Sequence, residues 1–181
     1  MREAKLVIVA MTDPAGMPIT DERPSPRAVR ASLFRMLRNN VLCSMATVTP
    51  EHRAHVNTAY FSYSDELELY FLSHPASRHC QNLEVNPSMA MTVFSSSQRW
   101  GGPDRGLQLF GTCKRASGAT AIKAADSYTR RFAAFADWQE SLSENDPGKS
   151  YAFYRFVVAR VNVFDEQAWG KPVFVLASIS R

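Results

Sequence analysis

Four side chains close together in the chain could hold an anion: Ser73, Ser77, Arg78 and His79. They supply two hydroxyls, a guanidinium and an imidazole, a donor set that suits a phosphate dianion. The pattern around them supports that use. Leu67 to Leu72 is a short apolar run of strand length and composition. Ser73, His74, Pro75 and Ser77 follow with turn chemistry, then a helical pattern in which Leu83 lies four residues after His79 and Asn86-Pro87 stops the run. Ser77 reads as the N-cap, which puts Arg78 and His79 in the first helical turn. A helix start offers unpaired N–H groups and a positive dipole end. An arginine there opposes the dipole, and a bound anion removes the conflict. By themselves the same residues also read as a solvated helix start.

Other reactive residue types are dispersed. His52, His55, His74 and His79 lack a metal-ligand spacing such as His-x-x-x-His. The expectation is no metal site, with His52 and His55 on the surface around a turn. Cys43, Cys80 and Cys113 are odd in number and form no Cys-x-x-Cys pair, so neither a disulfide framework nor a zinc site is expected. Cys80 reads as a small buried filler beside Arg78 and His79. Phe61, Tyr63, Tyr70, Phe71 and Phe94 are expected mostly to fill a core. Trp100 differs: Gly101-Gly102-Pro103 place it in a loop, where covering its ring takes a ligand or a partner chain.

The elements that must position these residues belong to a chain of 181 residues, 45% apolar, 21% charged and with a formal charge of +4, values of one ordinary globular domain with a sizeable core. Basic residues are scattered and form no long like-charge run, so neither nucleic acid nor a membrane surface is expected as partner. A mild positive field suits an anionic ligand. Leu6 to Met11 is too short for the core of a signal peptide, and no stretch approaches the length of a transmembrane helix. With reduced thiols, this gives a cytoplasmic expectation.

In order, residues 1–25 read as an N-terminal arm, loosely attached or packed on a partner subunit, with one strand-like run at Leu6 to Ala10. Residues 26–181 read as a single domain. Ser25 caps a helix with Pro26 at its first position and Val29, Leu33, Met36 and Leu37 as its apolar stripe. Strands are expected over Val41–Thr49, Ala54–Tyr63, Leu67–Leu72, Ser88–Phe94, Gly106–Lys114, Tyr154–Phe164 (with a bulge near Ala159-Arg160) and Val173–Ala177. A helix is expected over Ala119–Trp138, and Ser95–Asp104 and Ser141–Ser150 are polar loops. Short meander connections point to an α+β, mainly β, fold: an antiparallel barrel of six or seven strands with flanking helices.

The order of these motifs resembles the FMN-binding split barrels related to pyridoxamine 5′-phosphate oxidase. The residues that carry the likeness are Leu42-Cys43-Ser44-Met45-Ala46-Thr47-Val48, Val56-Asn57-Thr58-Ala59-Tyr60-Phe61, Leu69-Tyr70-Phe71-Leu72-Ser73, Ser77-Arg78-x-x-x-Asn82-Leu83, Asn86-Pro87 and Gly106-Leu107-Gln108-Leu109-Phe110-Gly111-Thr112. The resemblance implies a homodimeric split β-barrel with FMN in clefts between the subunits. It implies that Leu72, Ser73, Ser77, Arg78 and His79 surround the FMN phosphate. It implies that the backbone of Asn57, Thr58, Ala59 and Tyr60 runs along the isoalloxazine edge, that Gln108 reaches the flavin, from the partner subunit in one arrangement, and that Trp100 covers the ring.

Departures from the family pattern shape the functional expectation. His79 stands where relatives often carry Lys, and Asn57 and Ser62 stand where oxidases of pyridoxamine phosphate carry Arg and Lys. Tyr128, Arg130 and Arg131 are similar to a substrate-side Tyr/Arg pair of that family, with spacing off by one. Vitamin B6 oxidation is therefore not the first expectation. An FMN-dependent oxidoreductase, acting on a small organic substrate with a nicotinamide or other electron donor, is. The alternative is a non-catalytic flavin- or haem-binding or sensing protein of the same fold, with deazaflavin and haem as alternative cofactors. FMN itself supplies redox chemistry, so no catalytic side chain is assigned.

Overall fold

A computed structural model describes residues 4–20 and 23–181 of the chain. Strand β1 (Lys5–Thr12) is followed by α1 (Pro26–Asn39), β2 (Leu42–Val48), β3 (Ala54–Tyr60), β4 (Ser62–Tyr63), β5 (Glu68–Ser73), α2 (Arg78–Val85), β6 (Ser88–Phe94) and β7 (Arg105–Arg115). Then come α3 (Gly118–Arg131), α4 (Ala134–Ser141), a 3₁₀ turn (Pro147–Ser150), β8 (Ala152–Asp165), α5 (Glu166–Trp169) and β9 (Phe174–Ser180).

All strand pairs are antiparallel, and six segments close a ring. β2 pairs with β6, β6 with β7, β7 with β8, β8 with β5, β5 with β4, and β4 continues β3, which returns to β2. The ring is split because β8 changes partner along its length. Residues 152–157 pair with β5, whereas residues 160–164 pair with β9. A bulge sits at the fork: Phe110 faces Arg160 and Gly111 faces Val158, so Ala159 is the extra residue. A Cβ on Gly111 would stand 2.0 Å from the Val157 carbonyl oxygen, so only glycine fits there. The barrel fold class expected from sequence holds, with nine strands among the described residues rather than six or seven, since β1 and the short β4 join the sheet.

The arm reading is corrected. Residues 5–12 are an integral strand paired with β9 along its length. Leu6 and Met11 enter the main core, and their burial holds the strand in place. Residues 1–3, 21 and 22 of that expected arm lie outside the described residues. The expected helix over 119–138 is two helices, broken at Phe132, whose backbone is extended. The break lets Phe132 meet Tyr60 on β3 (5.6 Å between ring centroids) while Phe135 meets Phe153 on β8 (5.8 Å). The expected strand 54–63 is interrupted at Phe61, which is buried and donates its N–H to the Val41 carbonyl at 3.2 Å.

Inside the ring lie Met45, Met91, Leu107, Leu109, Phe156 and Val161, with the apolar stripe of α1 packed on them. Phe61 and Phe71 belong to that core as expected. Tyr70 does not: it lies in a second cluster under α3 with Tyr128, Phe135 and Phe153. Tyr63 is half-buried, and Phe94 is 48% exposed. The fully buried Asp165 accepts from the Ser32 hydroxyl and the Arg35 guanidinium, and from the Ala168 N–H at 3.1 Å. That pins α1 to the end of β8 without leaving a buried charge unpaired. The three cysteines are free and buried, and burial pushes the Cys43 thiol up to about 12.

Candidate functional site

β5 ends at Ser73, and a four-residue turn leads to α2. The turn is held by the Ser77 N–H donating to the His74 carbonyl (2.9 Å) and the Ala76 N–H donating to His74 Nδ1 (3.1 Å). It brings three polar atoms together. Ser73 Oγ lies 3.2 Å from Ser77 Oγ and 2.8 Å from His79 Nε2, and Ser77 Oγ lies 3.2 Å from the same Nε2. Ser77 occupies the N-cap position, yet its hydroxyl caps no N–H of α2. The first N–H groups of that helix therefore stay available, beside two hydroxyls that converge on one point. Ser73 and His79 are 8% and 7% exposed. Burial holds the His79 imidazole below the usual histidine range, and His55 adds to the effect.

Arg78 faces outward. Its side chain is 57% exposed, and Glu51 of the β2–β3 turn stands 3.9 Å away, a loose pair that leaves the guanidinium able to turn toward an anion. Asn82, within the quoted motif but without an expected role, fastens the turn to the barrel: its amide donates to Thr47 Oγ1 at 3.0 Å, and both groups are buried. An asparagine in the middle of a short helix was the signal for this, because it is a poor helix former unless its amide is used.

β3 leads away from this turn. His55, near its start, is the residue that acts on His79, and Tyr60 ends it six residues after Ala54. Among the described residues β3 pairs only with β2, so its other edge carries alternate unpaired N–H and C=O groups over about 20 Å. Asn57 and Ala59 are half-buried, whereas Thr58 and Tyr60 are exposed.

At the far end of β3 a cavity of about 380 Å³ is lined by Arg38, Val41, Ser62, Tyr63, Ser127, Arg130 and Arg131. Arg131 donates to the Leu37 and Asn40 carbonyls (2.7 and 2.5 Å), closing the C-terminal end of α1, and lies over the rings of Phe61 and Tyr63 at 4.7 and 4.9 Å. Its Nε and the Ser62 hydroxyl are buried without a hydrogen-bond partner among the described residues. Buried donors without partners are costly, and a ligand in the cavity would satisfy them. Sequence reasoning reached both residues only through the family resemblance, Arg131 in a Tyr/Arg pair whose spacing is off by one and Ser62 as a departure from the pattern, because neither belongs to a local motif.

The expected residues thus fall into two groups. Leu72, Ser73, Ser77, Arg78 and His79 surround one turn, and residues 57–60 run from its neighbourhood along an open edge. Gln108 and Trp100 are not brought to them within one chain. Gln108 pairs with Thr92, Thr92 with Ser44 and Ser44 with Thr58, so Gln108 and Thr58 share a row across the outer face, separated by three strand spacings, about 14 Å. There Gln108 accepts from Asn162 at 3.0 Å. Trp100, at the tip of the β6–β7 loop, is 98% exposed. No helix among the described residues is long and apolar enough to cross a membrane.

Comparison with solved structures agrees with this architecture. The haem-binding protein of Mycobacterium smegmatis superposes with a TM-score of 0.63 at 15% identity, over 88% of this chain and 59% of that one. The chain thus spans somewhat over half the length of that protein. HutZ, the haem storage protein of Vibrio cholerae, gives a TM-score of 0.59 at 17% identity, over 82% of this chain and 94% of that one. A Clostridium acetobutylicum protein related to general stress protein 26, of the pyridoxine phosphate oxidase family, gives 0.56 at 12% identity, over 75% and 87%. No curated protein sequence matches the chain. At such identities these likenesses concern the fold. Residues 30–165, most of the chain and all of the turn and strand just described, match the sequence signature of the pyridoxamine 5′-phosphate oxidase family, whose cofactor is FMN. The chain belongs to the pyridoxamine 5′-phosphate oxidase family.

Proposed function

We propose that this protein is an FMN-binding flavoprotein and an FMN-dependent oxidoreductase acting on a small anionic organic substrate. The observation that carries the reading is the turn from Ser73 to His79, where two hydroxyls converge on an uncapped helix start with a loosely held arginine beside it. Those residues fit a phosphate. The open edge of β3 fits the polar rim of a flavin, because backbone donors and acceptors there have no strand partner. Bound FMN would supply two-electron redox chemistry, with a nicotinamide or other donor as the source of electrons. The protein's own residues bind and orient: Ser73, Ser77 and Arg78 hold the phosphate, residues 57–60 hold the ring edge, and Arg130 with Ser62 offers donors to a substrate anion at the far end of β3.

The reading includes a homodimer. Gln108 and the fully exposed Trp100 reach a flavin only from a second copy, and Leu42, Val56 and Tyr60 on the outer face are 49, 65 and 54% exposed. Three free, buried thiols and no framework of disulfides agree with a cytoplasmic setting. The test is a titration of purified apo-protein with FMN, read by flavin fluorescence. Saturable binding at low micromolar or tighter supports the reading. Absence of FMN binding by the folded protein overturns it, and haem and deazaflavin titrations then decide between the alternative cofactors.

A further inference from the structure

His79 is a specific feature of this turn. Its Nε2 stands within hydrogen-bond distance of both serine hydroxyls, so three groups that could face an anion are tied to one another. The proton count limits what they offer. When the ring is neutral with Nε2 bare, one serine proton is committed to the imidazole and that serine presents only lone pairs outward; in the other neutral tautomer Nε2 donates and both serine protons are free, but no charge is added. When the ring is cationic, Nε2 becomes a donor only, both serine protons are free to point at an anion, and a positive charge is added.

The surroundings make that protonation conditional. His55 from β3 is the charged neighbour that acts on His79; Arg78, with Glu51 of the β2–β3 turn against it, precedes it and Cys80 follows it on its own helix, and His74 lies in the turn before it. On the remaining side lies the Phe71 ring, 6.1 Å between centroids, which solvates no charge. Burial, and after it His55, oppose a second proton on the ring while the turn is empty. The attraction of a dianion beside Nε2 works against both.

We propose that phosphate binding at the Ser73–Ser77–Arg78 turn is coupled to the uptake of one proton from solvent by His79, so that cofactor affinity strengthens as pH falls. This rests on the FMN reading above, and it gives the protein a pH-dependent hold on its cofactor. A lysine at this position would be charged throughout and would give none.

The experiment compares FMN dissociation constants of the parent, His79→Gln and His79→Lys between pH 6 and 8, with circular dichroism to verify folding. Coupling to one proton weakens parent binding by up to about tenfold per pH unit across the window in which His79 titrates. His79→Gln and His79→Lys retain only the shallow dependence of the FMN phosphate itself, whose second ionisation lies near pH 6. In parallel, imidazole NMR with inorganic phosphate as the probe shows the His79 titration moving to higher pH. Parallel pH profiles for parent and both variants, or an unmoved His79 titration in saturating phosphate, overturn the proposal and leave the FMN reading standing. Absence of FMN binding by all three proteins at every pH overturns both.

Discussion

The two ends of β3 solve the same problem in different ways. Near its start, the Ser73–His79 turn gathers two hydroxyls, a guanidinium and an imidazole from seven consecutive residues, and a single hydrogen bond from Asn82 to Thr47 fastens it. At its end, Arg131 arrives from α3, Leu37 and Asn40 from the C-terminal end of α1, and Ser62 and Tyr63 from β4, so the polar cluster exists only when three elements meet. The first end is a small loop with outward-facing charge. The second uses its central arginine as structure, bonding two carbonyls of α1 and covering two aromatic rings. A charge that holds a helix end in place is less free to answer a ligand than one exposed to solvent. On the proposed function, the turn binds the ligand and the far end joins structure with recognition.

The largest expected effect concerns the frame that both ends share. Gly111→Ala drives a Cβ into the Val157 carbonyl at the fork of β8, where backbone rather than a flexible side chain must move. Urea unfolding is expected to show a loss of roughly 3 kcal/mol, with both ends lost together. An unchanged midpoint would mean that the bulge does not depend on glycine.

A smaller effect separates the two ends. Arg131→Met is expected to cost roughly 2–3 kcal/mol in the same measurement, because two charged hydrogen bonds to carbonyls disappear. The Kd for FMN is expected to shift by less than about threefold, since the two clusters lie about 20 Å apart along β3. A tenfold loss of FMN affinity would join the ends into one site.

The complementary change is the smallest in stability. Arg78→Ala is expected to leave the unfolding midpoint within about 0.5 kcal/mol of the parent, because the side chain is exposed and its ion pair is loose. Its FMN Kd, by contrast, is expected to weaken by about 10- to 100-fold, the worth of one charge-assisted contact to phosphate. Affinity equal to the parent's would remove the turn from the cofactor site.

Legibility follows the same division. The turn could be read from sequence because its donors lie within seven residues and its boundaries are marked by Pro75, Ser77 and Asn86-Pro87. The bulge at Ala159 showed as a slip in the alternation of β8, and the α1 stripe showed as helical spacing. The helix break at Phe132 was invisible, because no glycine or proline marks it and the spacing of apolar residues continues through it. The strand at residues 5–12 reads as an arm in sequence, because its partner, β9, lies at the opposite end of the chain.

The sequence by itself determined most of the strands and helices, the antiparallel meander, the family, and the cluster of anion-suited donors at the Ser73–His79 turn, since each depends on periodicity or on neighbours along the chain. Tertiary structure alone decided the ring closure through β3 and β4, the fork of β8, the burial of His79 between two serines, the placing of Arg131 and Ser62 on one cavity, and the separation of Gln108 and Trp100 from the β3 edge. Those outcomes depend on register between strands and on helices laid across them, and pairwise contacts between distant residues leave no local mark for a single sequence to show.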